Sequence, residues 1–140
     1  MTLFCLFLHH RSASTWSSAL FRELSASLGW RRETIHDPQR LPEPLAPHCR
    51  RRRLDLVVFS NARRDYVEGL PAFQGVHVVR DPRDILVSSY FSHRFSHPVT
   101  AWPELVAHRQ ELQTLTEEEG LLRELDCRRG QFEAMAAWPY

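Results

Sequence analysis

Twice in this chain a short apolar run leads through a polar turn into a helical pattern, and this order constrains the fold most. The first run covers residues 3–8 and the second covers residues 75–79. A third apolar run, residues 54–59, lies between them. Continuous apolar runs of this length are typical of parallel strands that are covered on both faces. The pattern predicts an α/β fold with a short parallel sheet flanked by helices and a helical C-terminal part.

The two strand-to-helix turns also predict anion sites. The first turn of a helix leaves backbone N–H groups without intrahelical acceptors and carries the positive end of the helix dipole. In the second turn, Arg80 offers a planar guanidinium suited to phosphate oxygens, and Ser88 follows eight residues later, about two helical turns on. In the first turn, Ser14 and Thr15 add hydroxyl donors. This turn is not a Walker A loop, because no glycine precedes Gly29 and the chain contains no lysine.

Together the two turns resemble those of the sulfotransferases that use 3′-phosphoadenosine 5′-phosphosulfate. Many bacterial members of that family read Arg-Ser-Gly-Ser-Thr-Trp in the first loop, and residues 11–16 here read Arg-Ser-Ala-Ser-Thr-Trp. The resemblance implies a three-layer fold like that of the P-loop NTPases. It implies that Arg80 and Ser88 bind the 3′-phosphate and that Arg11 steadies charge on the bridging oxygen. The loop residues that it assigns to the 5′-phosphosulfate are Arg11, Ser12, Ala13, Ser14, Thr15 and Trp16.

Two positions depart from the family pattern. Ala13 stands where the family usually has glycine, so its backbone is less free to adopt a positive φ. Asn61 falls near the point where many members carry a histidine base, and an amide is not a useful base. His9 and His10 follow the first strand, and strand alternation points only one of them toward a cleft. The candidate catalytic residues are Arg11 and His10.

Between and after the turns, the pattern predicts further elements. Residues 16–28 predict a helix that ends at Gly29, and residues 31–53 predict an exposed connection with four prolines. Residues 101–115 and 117–137 predict two helices, capped by Thr100 and by a Thr116–Glu119 capping box. Three strands are few for such a sheet. We therefore expect residues 1–140 to form a single, incomplete sulfotransferase-like nucleotide-binding domain.

The composition limits the classes of binding partner and the cellular environment that we expect. The formal net charge of the 140 residues is +1, so no overall field favours nucleic acid or an anionic membrane. The three cysteines show no metal-binding or disulfide spacing, which predicts reduced thiols in a cytoplasm and no metal site. The first apolar run is too short for a signal peptide or a membrane span.

If the resemblance extends to function, the chain transfers a sulfuryl group from the nucleotide to a hydroxyl or amine, without a metal. We expect the acceptor to be a small molecule, a carbohydrate or a lipid. One alternative is a truncated or degenerate family member that binds nucleotide weakly or serves as an interaction module, for example as a homodimer along an exposed sheet edge. A less favoured alternative is a P-loop nucleotide or nucleoside kinase, against which the missing loop lysine counts.

Overall fold

The structure is a computed structural model that describes residues 2–100 and 102–138. Its internal contacts divide the chain into two compact units. The first comprises residues 2–79 together with residues 133–138, and the second comprises Arg80–Phe132. Within the described ranges, no helix is both long and apolar enough to cross a membrane.

The first unit is built on a four-stranded parallel sheet, which confirms the predicted α/β class. The strand order is β2–β3–β1–β4. The strands are β1 Leu3–Phe7, β2 Arg32–Ile35, β3 Leu56–Phe59 and β4 Phe73–His77. The helices of this unit are α1 Ser14–Ser27 and α2 Leu45–Arg52, with 3₁₀ turns at Pro38–Arg40 and Arg64–Gly69.

Helices cover both faces of the sheet. Since successive side chains of a strand point to opposite faces, each face carries its own buried cluster. On one face, Cys5 and Phe7 of β1 pack in a buried cluster with Leu45 and Cys49 of α2. The opposite face carries a second buried cluster, against which Phe21 of α1 packs. The residues that form this second cluster are Leu6, Leu8, Leu56 and Val58. The two central strands are therefore buried on both sides, as their continuous apolar sequences predict.

The prediction of an exposed connection over residues 31–53 is wrong. This segment contains β2 and α2, so the sheet has a fourth strand that the sequence pattern did not indicate. In β2 only Ile35 is buried, because the strand lies at the sheet edge and pairs only with β3. In α2, Pro47 falls in the first turn, where a missing N–H group interrupts no intrahelical hydrogen bond.

The second unit is helical. It contains α3 Pro82–Phe91, a π-helix at Ser92–Ser96, α4 Leu105–Thr114 and residues 117–132 of α5, which spans Glu117–Ala136. The capping box of α5 is confirmed, since Thr116 N–H donates to Glu119 Oε2 at 3.0 Å and Glu119 N–H donates to Thr116 Oγ at 3.3 Å. The predicted start of α4 is wrong. Glu104, and not Thr100, is its N-cap, and residue 101 lies outside the described residues.

Candidate functional site

The carboxyl ends of the four parallel strands lie at one edge of the sheet in the first unit. Strands β3 and β1 are neighbours in the middle of the sheet, with β2 beside β3 and β4 beside β1. From β1 the chain passes through α1 and crosses over β3 to reach β2, whereas from β3 it crosses over β1 to reach β4. The connections from these two neighbouring strands thus leave in opposite directions. In open α/β sheets, ligands bind in the crevice at such a reversal, beyond the carboxyl ends of the strands.

The turn after β1 is fixed by hydrogen bonds between His9 and Ser12. Ser12 N–H and Ser12 Oγ donate to the His9 carbonyl at 3.2 and 2.7 Å, and His9 N–H donates to Ser12 Oγ at 3.1 Å. Arg11, at the third position of this turn, has a φ of 64°, in the left-handed region that favours glycine. Ser12 is buried, so its hydroxyl shapes the loop from within.

Ala13 forms the junction between this turn and α1. It adopts φ 57° and ψ 26° despite its Cβ atom, so the alanine takes the left-handed conformation that glycine adopts more readily. As the N-cap of α1, Ala13 makes no side-chain capping hydrogen bond, and the first turn of α1 carries no acidic residue. A left-handed residue followed by helical residues directs successive N–H groups into a concave anion-binding surface.

The outer side of this loop faces solvent. Thr15 is exposed, Arg11 and Ser14 are half-buried, and the Trp16 side chain is 68 % exposed. Of the groups assigned to the 5′-phosphosulfate, the Arg11 guanidinium and the Ser14 and Thr15 hydroxyls therefore lie on an accessible loop, whereas the Ser12 hydroxyl is buried. Backbone, hydroxyl and guanidinium donors, the groups that proteins use to bind phosphate and sulfate, thus occur within six consecutive residues.

Two histidines from adjacent strands meet beside this loop. His9 Nε2 lies 2.7 Å from His77 Nε2, and the ring of Trp138 packs on His77 with a centroid separation of 4.1 Å. Burial lowers the pKa of His9 to about 4, with a smaller contribution from His77, and burial also lowers the pKa of His77. The pair is therefore neutral near pH 7, and His9 is a weak base. His10, the histidine predicted to be catalytic, is half-buried, and its role stays a prediction.

A second pair at this edge was missed by the sequence analysis. Ser60 Oγ, after β3, and His36 Nδ1, after β2, are hydrogen-bonded at 2.6 Å. The pair was missed because β2 was not predicted, and without β2 nothing brings His36 toward the end of β3. A histidine that directly follows a strand would have been the available signal.

The predicted residues Arg80 and Ser88 belong to the second unit. Arg80 precedes α3, is exposed, and lies 3.6 Å from the Asp84 carboxylate, measured from Nε to Oδ2. Asp81 caps α3 by accepting from Arg83 N–H at 2.9 Å, and hydrogen bonds from Arg83 lower the pKa of Asp81 to about 2. Ser88 lies on α3 and is half-buried.

The second unit also contains a buried polar cluster around Glu124. Glu124 Oε1 lies 2.8 Å from His93 Nδ1 and Oε2 lies 2.8 Å from His108 Nε2, while Arg128 Nε donates to Oε1 at 2.9 Å. Burial alone would raise the pKa of Glu124, but these hydrogen bonds outweigh it and lower the pKa to about 2. The guanidinium of Arg128 packs over the ring of Trp102 at 4.9 Å.

This cluster contains three groups that are common metal ligands. Ligand atoms of His93, His108 and Glu124 lie within 4.8 Å of one another. Arg128, however, donates to the same carboxylate, and its Nη2 lies 3.0 Å from His93 Nε2. A guanidinium in this position already neutralises the carboxylate and would repel a divalent cation. We interpret the cluster as a structural network that links the π-helix, α4 and α5.

Comparison with protein families, with curated proteins and with solved structures found no match. The function of the chain is therefore inferred from its own residues. Within the first unit, the candidate site consists of the loop of residues 9–16 and the polar side chains at the carboxyl ends of the neighbouring strands.

Proposed function

We propose that this chain is a member of the sulfotransferases that use 3′-phosphoadenosine 5′-phosphosulfate, with a P-loop-like arrangement of sheet and helices. One observation carries the proposal. At the carboxyl end of the interior strand β1, Ala13 is the N-cap of α1, takes a left-handed conformation and has no side-chain group that could cap the helix. This geometry supports binding of the 5′-phosphosulfate by residues 11–16, the segment that carries the sequence resemblance.

In the proposed reaction, a hydroxyl or amine attacks the sulfur in line with the bridging oxygen, and the nucleotide 5′-phosphate leaves. Arg11 and the first N–H groups of α1 offset the charge that accumulates on the leaving phosphate. Ser14 and Thr15 hold the nonbridging oxygens. The contribution of the protein is positioning and charge stabilisation, as in phosphoryl transfer. We propose a small molecule, a carbohydrate or a lipid as the acceptor.

The assignment of Arg80 and Ser88 to the 3′-phosphate comes from the sequence resemblance. Arg80 must exchange its ion pair with Asp84 for the phosphate, and this exchange is inexpensive because the two side chains are 42 and 64 % exposed. Asp81 remains on the amino terminus of α3 through its bonds to Arg83. The guanidinium and the Ser88 hydroxyl therefore supply the donors.

Calorimetric titration with 3′-phosphoadenosine 5′-phosphate tests the proposal directly. The wild-type protein should bind this nucleotide more tightly than ATP, whereas a P-loop kinase would prefer ATP with magnesium. Replacing Arg11 or Arg80 by alanine should raise the dissociation constant about 10- to 100-fold, the loss expected for one or two charged hydrogen bonds.

Two matched variants serve as controls. Arg22→Ala alters an exposed arginine on α1, and Arg129→Ala alters an exposed arginine on α5. Neither should change the dissociation constant, because neither residue lies in a predicted anion site. Equal affinity of wild-type, Arg11→Ala and Arg80→Ala proteins would contradict the proposal and favour an interaction module.

A further inference from the structure

The pair formed by Ser60 and His36 is placed by the register of the sheet. Ile35 and Phe59 are partners in the β2–β3 ladder, so the next residue of each strand also lies beside its neighbour. Ser60 N–H donates to the Ile35 carbonyl at 3.4 Å, and the side chains meet at 2.6 Å. His36 is exposed and Ser60 is half-buried, so a solvent molecule or substrate can reach the pair.

Backbone hydrogen bonds connect the segment that carries Ser60 with the end of β1. Leu8 N–H donates to the Phe59 carbonyl at 2.9 Å, and Ala62 N–H donates to the Leu8 carbonyl at 2.8 Å. Leu8 directly precedes the loop of residues 9–16. The Ser60–His36 pair and the proposed phosphosulfate loop thus follow neighbouring strands at the same edge of the sheet.

We propose that Ser60 and His36 form a proton relay that deprotonates the acceptor hydroxyl during sulfuryl transfer. The inference rests on the proposed function and assigns the base that the sequence resemblance leaves open. Ser60 is the catalytic residue that contacts the acceptor. His36 acts through Ser60, since its Nδ1 accepts the proton of the Ser60 hydroxyl.

The step balances in atoms and charge. The acceptor oxygen forms a bond to sulfur while the bond between sulfur and the bridging oxygen breaks, and that electron pair leaves with 3′-phosphoadenosine 5′-phosphate. The proton of the acceptor moves to Ser60 Oγ, and the Ser60 proton moves to Nδ1 of His36. The imidazole must carry its resting proton on Nε2, so that Nδ1 accepts.

Other side chains at this edge fit the role less well. His9 is 2 % exposed, and its pKa of about 4 makes it a weak base. Asn61 is exposed and falls near the point where many members of the family carry a histidine, but an amide does not accept a proton near neutral pH. The imidazole from β2 reaches the end of β3 from the neighbouring strand.

Turnover of ³⁵S-labelled 3′-phosphoadenosine 5′-phosphosulfate tests the relay, with water and 4-nitrophenol as the two acceptors. Ser60→Ala and His36→Gln should lower kcat with water about 100-fold, a typical contribution of general-base catalysis. The dissociation constant of 3′-phosphoadenosine 5′-phosphate should not change. With 4-nitrophenol the loss should be smaller, because its phenolate form needs no base.

Additional variants separate a relay from a structural role. Ser60→Thr keeps the hydroxyl and should retain most of the activity, and Asn61→Ala should behave as wild type. Added imidazole should restore part of the activity of the His36→Gln variant, since the position is exposed.

The outcomes distinguish the relay from the proposed function. If Ser60→Ala and His36→Gln turn over water at the wild-type rate while Arg11→Ala loses nucleotide affinity, the relay is wrong and the nucleotide site stands. Nucleotide binding by the wild type without turnover of either acceptor also overturns the relay. If the wild type does not bind the nucleotide, both proposals fall.

Discussion

Ala13 and Arg11 hold left-handed backbone conformations that an L-residue adopts only at a cost of about 1–2 kcal/mol each. Both lie in the six-residue loop that carries the sequence resemblance. Strained conformations of this kind persist where the surrounding contacts enforce them, and they concentrate at binding sites. Here the hydrogen bonds between His9 and Ser12 enforce the turn.

Replacing Ala13 with glycine should therefore relieve strain without altering the loop. We expect Ala13→Gly to raise the free energy of unfolding by about 1 kcal/mol and to bind 3′-phosphoadenosine 5′-phosphate at least as tightly as the wild type. Urea titration and calorimetry measure the two effects. Gly29→Ala is the matched opposite change, because Gly29 has a φ of 66° with open space around it, and it should destabilise the protein by a similar amount. Destabilisation by Ala13→Gly would refute the left-handed conformation.

Residue identity alone predicted the turn between β1 and α1 but not the environment of its neighbours. The turn follows from consecutive residues, whereas the Ser60–His36 pair joins positions 24 apart. The lowered pKa of His9 arises from burial and from a partner on another strand. The pairing of residues from distant segments cannot be predicted from either segment alone.

At the scale of elements, α1 confirms the helix predicted over residues 16–28, although its large apolar residues do not face the sheet. Four large apolar residues of the predicted segment are exposed in the structure. They are Trp16, Leu20, Leu24 and Leu28. The side that packs toward the sheet instead carries Phe21, with Ser17 and Ser25 buried one turn before and after it. Small side chains allow this side of the helix to approach the sheet closely.

The sequence predicted a parallel sheet but only three of its four strands. The buried strands β1 and β3 could be recognised from continuous apolar runs, whereas β2 has the sequence Arg-Glu-Thr-Ile and a single buried residue. Its strand conformation depends on pairing with β3, a nonlocal interaction. The third predicted strand, residues 75–79, is displaced from β4, which spans Phe73–His77.

The β1–β4 ladder depends on a glycine. A Cβ atom at Gly75 would lie 2.6 Å from the Cys5 carbonyl oxygen of β1. Gly75→Ala should therefore lower the free energy of unfolding by about 1–3 kcal/mol through steric overlap. Gly130→Ala is the control, because the added methyl group meets no atom within 4 Å. It lies within α5 and should stabilise the protein by up to about 1 kcal/mol. Equal effects of the two substitutions in urea titrations would contradict the close approach of β1 and β4.

Among the polar contacts of the second unit, the network around Glu124 should contribute most to the free energy of unfolding. Glu124→Gln keeps the side-chain shape but leaves Arg128 without its buried carboxylate, so we expect a loss of about 3–5 kcal/mol in the free energy of unfolding. Glu111→Gln removes an exposed ion pair with Arg123 and should change stability by less than about 1 kcal/mol. If Glu124→Gln were as mild as Glu111→Gln, the carboxylate would not be the centre of a buried network.

At the scale of the whole molecule, buried ionisable groups predict a stability that falls in two steps as the pH decreases. The pKa of His9 is lowered from 6.5 to about 4, so the unfolded chain binds one more proton than the folded chain between these values. Its contribution is complete above about pH 6.5 and is lost progressively down to about pH 4. Glu124, with its pKa lowered from 4.5 to about 2, adds a second loss as the pH falls from about 4.5 to 2.

The His9→Gln variant separates the two steps. Because the amide does not titrate, the loss in free energy of unfolding between pH 7 and pH 4 should shrink by as much as about 3 kcal/mol, the equivalent of a pKa shift of about 2.5 units. Burial also lowers the pKa of His77, so protonation of His77 also destabilises the folded state as the pH falls. The stability of the variant should therefore still depend on pH to some extent. Below pH 4 His9 is protonated in both states, and the variant and the wild type should lose stability in parallel. Urea titrations at intervals of half a pH unit measure both windows. Parallel curves over the whole range would mean that His9 is not buried as a neutral imidazole, and the assignment of a neutral His9–His77 pair would then be wrong.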